Sequence, residues 1–175
     1  MSVVFSKLLA SKALLQTCIV REPRVVNRTF SLILFIVLVL GTGLVLGGLT
    51  VPGGWYADLS KPSFNPPAWL FGPVWTVLYV LIAIAGWRTW GRDRAGRAMQ
   101  LWWAQMLLNF LWTPIYFGMH QIGFALVVIL LLLASIIAFI VAAWRPDRVS
   151  AWIFLPYAVW VAFSSVLNAS ILMLN

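Results

Sequence analysis

The chain is 175 residues long, 63% hydrophobic and only 9% charged, with a mean hydropathy of +0.98. Soluble domains carry about 25% charged residues, so a soluble domain of any size is excluded and the protein works in or at a membrane. Twelve Lys and Arg against four Asp and Glu give a formal net charge of +8, and the single cysteine, Cys18, excludes an intrachain disulfide and a thiolate metal cluster.

A helix needs about 20 apolar residues to cross a bilayer, and five stretches qualify: 30–49, 67–90, 101–119, 122–144 and 151–174. The segment before them is basic and almost free of acids, and its apolar triplets recur in a rhythm that suits neither helix nor strand. We read residues 1–28 as a poorly ordered basic extension and 29–175 as the transmembrane domain. A mitochondrial-type targeting segment is the alternative for the extension.

The basic residues orient the chain. Lys7, Lys12, Arg21, Arg24 and Arg28 precede span one, Arg88, Arg92, Arg94 and Arg97 join spans two and three, and Arg145 and Arg148 join spans four and five. Lys61 stands alone on the opposite side. Positive loops stay in the cytoplasm, so the N-terminus and loops two-three and four-five are expected inside, with loop one-two and the C-terminus outside. Topology and headgroup contact then account for the charge, and no nucleic-acid partner is expected. Asp93 and Asp147 accompany the arginines and read as parts of solvated turns.

In span one, Gly43 and Gly47 form a small-xxx-small pair that lets a second helix approach closely. The following loop, 50–66, is longer than a connector requires. Pro52, Gly53 and Gly54 break regular structure, Trp55 and Tyr56 follow, and Pro67 suits the start of span two. Two aromatics carried back towards the bilayer form either a lid or an interfacial anchor. Loop three-four is so short that spans three and four must form a tight hairpin.

Eleven tryptophans are spread along this frame. Trp87, Trp90, Trp102, Trp103, Trp144 and Trp152 flank spans, where amphipathic rings settle at headgroup depth. Trp69, Trp75, Trp112 and Trp160 lie within spans, where an indole N–H needs protein or ligand. Span three places Gln105, Asn109 and Trp112 on one face, span five does so with Tyr157, Trp160, Ser164 and Asn168, and span two sets Trp75 and Tyr79 one turn apart. Such stripes serve interhelical hydrogen bonding or line a pocket. Three stripes rich in indole and phenol favour the pocket. Trp69, Phe71, Trp75, Trp112, Tyr116, Phe117 and Phe124 crowd the outer half, beneath the Trp55–Tyr56 loop, which suits a flat hydrophobic ligand.

Several chemistries are disfavoured. No acidic residue falls within a span to relay protons, Ser164 and Ser165 have no intramembrane histidine, and His120 alone builds no multi-histidine metal site. No metal and no required cofactor are expected.

The blocks Trp55-Tyr56, Lys61-Pro62, Pro66-Pro67-x-Trp69 and Pro73-x-Trp75-Thr76-x-x-Tyr79 are followed by Gln105, Asn109, Trp112-x-Pro114 and Phe117-Gly118, then by Pro156-Tyr157-x-x-Trp160, Phe163 and Leu167-Asn168. Across residues 32–172 this pattern resembles the tryptophan-rich sensory protein/translocator protein family (TspO/MBR, the peripheral benzodiazepine receptor type). The resemblance implies an all-α membrane protein, a bundle of five antiparallel transmembrane helices, often dimeric, whose long loop between helices 1 and 2 caps a ligand pocket. Matching pocket positions are Trp55, Tyr56, Phe71, Val74, Trp75, Asn109, Trp112, Phe124, Val127, Trp160, Ser164 and Leu167.

The ligand so implied is a tetrapyrrole, protoporphyrin IX or haem, bound by a receptor or transporter with a sensory role in porphyrin or oxidative-stress handling, in a bacterial cell envelope. A mitochondrial outer membrane is the alternative location. One alternative function is light- and oxygen-dependent degradation of bound porphyrin, with Trp75 and Trp160 as the catalytic candidates. Another is a ligand-regulated partner protein acting through Arg92, Arg94 and Arg97. Three departures from the family pattern bear on ligands: Ser63-Phe64 stands where many relatives have a tryptophan near the lid, Phe124 stands where animal members carry Trp, and the C-terminal stretch lacks the Tyr and basic residue of the proposed sterol motif, so sterol binding is weakly supported.

Overall fold

The computed structural model describes residues 25–50 and 53–175. The calls on Lys7, Lys12, Cys18, Arg21, Arg24 and Pro52, and on the extension up to residue 24, fall outside them. Contacts divide the chain into Met1–Phe30 and Ser31–Asn175; the bundle and its cavity belong to the second unit.

The described residues are helical throughout their regular structure: α1 (Val25–Leu49), α2 (Gly54–Asp58), α3 (Ala68–Arg92), α4 (Arg97–Thr113), a π-helical turn (Pro114–Gly118), α5 (Ile122–Ala143) and α6 (Arg148–Leu174). Four of these are long and apolar enough to cross a membrane, α1 from Arg28 onward together with α3, α5 and α6. The protein is an all-helical integral membrane protein. The remaining expected span is α4, only 17 residues long, prolonged by the π turn.

Pro114 explains that break. It lacks the N–H that would bond the carbonyl four residues back, and its ring crowds that carbonyl, so the chain widens by one residue per turn. Met119 N accordingly donates to Pro114 O at 2.9 Å. The hairpin then closes through His120, whose φ of 57° is the only positive value at a non-glycine among the described residues.

Helices α4, α5 and α6 pack in sequence, and α3 closes against α6 and α4. Their shared core includes Ile82, Met106, Leu132, Phe139, Phe154 and Tyr157, with Phe139 and Phe154 at 4.1 Å between ring centroids. Trp102 also sits in this core, fully buried, its indole N–H donating to Ile82 O at 3.0 Å. That corrects its assignment to the headgroup belt: a tryptophan near the end of a span can still turn inward when a backbone carbonyl and a glycine receive it. The glycine is Gly86, where an added methyl would overlap the indole. Gly86→Ala is therefore expected to cost about 1–3 kcal/mol of stability, read as a lowered melting midpoint in detergent. Trp103 and Trp152 remain exposed.

Helix α1 packs lightly. Phe35 meets Trp90 and Trp102, Ser31 accepts from the Trp87 indole at 3.0 Å, and Val39 is buried. Gly43 receives the Tyr79 ring, whereas Gly47 has nothing within 4 Å of its notional side chain. The small-residue pair therefore admits one aromatic ring, not a second helix, and α1 leaves a gap at Gly47 and Gly48.

At the opposite end, Arg88 grips Asp147 through Nη2 and Nε, at 2.8 and 3.2 Å, and Arg92 adds a contact at 3.2 Å. Ser150 Oγ donates to the same carboxylate at 2.8 Å, and Asp147 caps the start of α6. Asp147 is buried, which corrects its reading as part of a solvated turn: two guanidinium groups replace the water a lone carboxylate would need. Burial alone would raise its pKa, but the hydrogen bonds from Arg88 and Ser150 and the charges of Arg88 and Arg92 outweigh that and lower it from 3.8 to about 2. Arg94 lies over the Trp90 ring. Two of the three arginines on which the partner-protein reading rests thus have partners within the bundle.

Candidate ligand-binding site

Between α1, α3, α4 and α6, beneath the loop that holds α2, lies a cavity of about 1020 Å³. Small-molecule sites typically span about 300–1,000 Å³, so this one admits a large ligand. Trp75, Phe71 and Tyr79 line it from α3, Asn109 and Trp112 from α4, and Ser164, Leu167 and Asn168 from α6. Gly43, Leu44, Gly47 and Gly48 line the α1 side, where missing side chains leave room that a packed helix would fill.

The floor is held by a chain of hydrogen bonds. Tyr79 OH donates to Asn109 Oδ1 at 3.2 Å, Asn109 Nδ2 to Tyr157 OH at 2.9 Å, and Tyr157 OH to Gln105 Oε1 at 3.0 Å. Gln105 Nε2 continues to Trp102 O at 2.9 Å. The polar stripes of three spans thus satisfy one another in the apolar interior, as buried amides and phenols must. Higher up, the Trp112 indole donates to Asn168 Oδ1 at 3.2 Å, and Asn168 Nδ2 reaches Ile122 O. These bonds fix the orientation of Asn109 and Trp112 and leave little of either for a ligand except ring face and edge.

The loop over the cavity is ordered by its own chemistry. Although glycine and proline were expected to keep it irregular, residues Gly54–Asp58 form a short helix. Tyr56 turns under it onto Tyr116 and Phe117, with centroids at 6.2 and 5.4 Å, and burial raises the pKa of its phenol. Trp55 stacks on His120 at 4.1 Å and meets Tyr116 edge-on. Lys61 Nζ donates to Ala57 O and Leu59 O at 3.0 and 3.1 Å and lies 4.8 Å from the centre of the Tyr56 ring. Ser60 N donates to Asn175 Oδ1 at 2.9 Å, and Asn175 Nδ2 returns a bond to Ser60 O at 3.0 Å. The loop is therefore tied both to the hairpin and to the end of α6.

The sequence profile of the TspO/MBR family matches residues 34–174, nearly the whole of this bundle. The chain belongs to the TspO/MBR family. It is 39% identical over 133 residues to Protein CrtK of Rhodobacter capsulatus, covering 74% of this chain and 83% of that one. It is 34% identical over 149 residues to the Tryptophan-rich sensory protein of Cereibacter sphaeroides (85% and 94% covered). The human Translocator protein is 38% identical over 119 residues, with 65% and 70% covered.

In this TspO/MBR chain the expected pocket positions separate into groups. Tyr56, Phe71, Trp75, Asn109, Trp112, Ser164 and Leu167 all border the cavity. Trp160 stands one layer back, edge-on to Phe71 at 5.9 Å, Val74 packs on the core, and Trp55 acts above, on His120. Phe124 and Val127 are 55% and 52% exposed. They share one face of α5, and Ala125, Val128 and Ile129 on its other face take the inward positions; the structure does not bring either to the cavity. Trp69 likewise points outward, 72% exposed, despite its depth in the sequence.

Other lining residues were not among the matched pocket positions. Asn65 and Thr76 border the space, as do Lys61, read from the sequence as the lone basic residue of its side, and Tyr116, one of the aromatics crowded beneath the loop. The last was legible in part, since it follows Trp112 by four residues on one face, and the two rings stack at 5.1 Å. Three buried polar atoms on or behind these walls have no partner: Asn65 Oδ1, Tyr116 OH and Trp160 Nε1. Among the described residues, no three His, Cys, Asp or Glu side chains gather where a metal ion could be held.

Proposed function

We propose that the protein is a membrane receptor or transporter for a tetrapyrrole, protoporphyrin IX or haem, held in the cavity beneath the Trp55–Tyr56 loop. The observation that carries this reading is the pairing of a large volume with an aromatic lining drawn from two segments, Phe71 and Trp75 of α3 with Trp112 of α4 and Tyr116 of the π turn. A flat macrocycle buries apolar area against these rings and gains stacking on them. The names of the relatives, translocator and sensory protein, accord with carriage or sensing of such a ligand. On the charge asymmetry of the loops, the lid end lies outside the cytoplasm of a bacterial envelope and the Arg88–Asp147 end lies within it.

Protoporphyrin IX added to the purified protein is expected to quench tryptophan fluorescence saturably with micromolar affinity or better, about −8 kcal/mol. Linear, unsaturable quenching would refute the reading. Transport adds a second requirement, that the site open alternately to two sides, which porphyrin flux in proteoliposomes measures.

A second reading, light- and oxygen-dependent oxidation of bound porphyrin, draws on one observation. Trp75 borders the cavity and has Tyr79 at 5.3 Å and Tyr157 at 6.3 Å, a run of oxidisable rings leading inward from the ligand. Illumination of the complex in air should then yield a new absorbing product with folded protein and only bleaching with unfolded protein.

A further inference from the structure

Resting on the ligand-binding reading above, we propose that the cavity opens sideways into the bilayer through a window between α1 and α3, so that its ligand exchanges with the hydrocarbon of the membrane and not past the lid. Leu44, Gly47 and Gly48 of α1 and Ala68, Gly72 and Thr76 of α3 all border the cavity, and all six are exposed. On the other walls, Asn109, Ile129, Val161 and Leu167 are buried. Gly72 and Thr76 adjoin, on their own helix, the outward residues Trp69 and Val77, and Leu44 and Gly48 adjoin Val45 and Leu49, which are exposed as well. The lining of the cavity thus runs without a break into the outer surface of both helices.

The window has a frame. Towards its start α1 is held, where the Trp87 indole donates to Ser31 and the Tyr79 ring lies against Gly43. Towards its end, a methyl at Gly118 would lie 4.0 Å from the Thr50 side chain. The stretch from Gly43 to Thr50 spans about 10 Å of helix, and within it a side chain begun at Gly47 or Gly48 meets nothing within 4 Å, nor does one begun at Gly72. Backbone and side-chain polar groups that face hydrocarbon must be satisfied by the protein itself. Thr76 Oγ1 donates to Gly72 O at 2.9 Å and Thr50 Oγ1 to Leu46 O at 2.6 Å, each within its own helix, so neither hydroxyl is left unpaired before lipid. The lid, in contrast, is fastened by Trp55 on His120, by Tyr56 on Tyr116 and by the paired bonds between Ser60 and Asn175. An apolar ligand gathers in the bilayer before it meets protein, and the open side of the cavity faces it there.

The test is kinetic, on the full chain in liposomes. Gly47→Leu/Gly72→Leu narrows the window from both edges. Both glycines are helical with negative φ, so leucine suits the backbone and the melting midpoint should not fall. Stopped-flow quenching by protoporphyrin IX should show entry and release both slowed at least about 10-fold, as expected where bulk is forced into a narrow gap, with the equilibrium constant kept within about 3-fold. Thr76→Phe, on the same edge, should slow both rates too and stands in if the double variant does not fold. Asn175→Ala frees the lid from Ser60 and should leave both rates as they are. An unchanged entry rate in the window variants, or faster exchange in Asn175→Ala, would overturn the window. If wild type binds no porphyrin, the tetrapyrrole reading fails by itself, and the window is then read by covalent labelling. In a Cys18→Ser/Ser164→Cys background, N-(1-pyrenyl)maleimide dissolved in the bilayer should label the cavity wall at a rate that Gly47→Leu/Gly72→Leu cuts at least about 10-fold. No labelling, or labelling indifferent to those two changes, would equally remove the window.

Discussion

Removing Phe71 and Trp75 together is expected to weaken protoporphyrin IX binding about 100-fold. Both project from one face of α3 into the cavity, four residues apart. Stacking of a flat heteroaromatic on such rings contributes about 1–3 kcal/mol each, and 1.4 kcal/mol is a factor of ten. No hydrogen bond of either side chain is lost with them, so the bundle should remain folded with a larger void. Trp160→Ala gives the contrast. Its ring backs Phe71 from outside the cavity, and its loss should cost about 3-fold through slackened packing. Titration by quenching of the remaining tryptophans reads all three proteins. A Trp160 effect as large as the double substitution would mean that the ligand lies elsewhere.

The second large effect concerns the far end of the bundle. Asp147→Asn is expected to lower stability at neutral pH by about 2 kcal/mol, because Arg88 and Arg92 lose the carboxylate that Asp147 presents from a buried position. The fall in its pKa from 3.8 to about 2 corresponds to the same figure, at about 1.4 kcal/mol per tenfold change. The sign follows from the lowered value. The native state favours the ionised form, so the contribution is complete above about pH 4 and is lost as pH falls towards 2. Wild type and Asp147→Asn should therefore differ in melting midpoint at pH 7 and converge near pH 2. Parallel curves across that range would remove the ion pair from the account. The same substitution should leave porphyrin affinity nearly unchanged, since Asp147 does not border the cavity.

Membrane class, the limits of the long spans and the tight α4–α5 hairpin were legible in the chain because each rests on local chemistry: run length, charge placement and the shortness of a loop. The inward stripes were legible for a related reason. Gln105, Asn109 and Tyr157 cannot face hydrocarbon unpaired, so their spacing alone fixes which face of α4 and α6 turns inward. What composition could not say is whether an inward amide meets protein or ligand. Asn109 was equally eligible for both, and only the positions of Tyr79 and Tyr157 show that it holds the floor.

The tryptophans mark the boundary more sharply. Trp69 and Trp75 both lie on α3, yet one is exposed and the other borders the cavity, because a helix shows only one arc to its neighbours. Depth in the sequence does not specify that arc. Trp102, near the end of its span, is buried for a reason that lies elsewhere in the chain, at Gly86 and Ile82 O. Phe124 and Val127 stay outside because Ala125, Val128 and Ile129 occupy the face of α5 that packs inward. The amino-acid order by itself determined an all-helical membrane protein with aromatic residues crowded towards one end and a long loop above them. Tertiary packing alone decided which rings enclose the void and that α1 stands off at its glycines to leave it open. Partners distant in sequence settle those points, and local spacing carries no record of them.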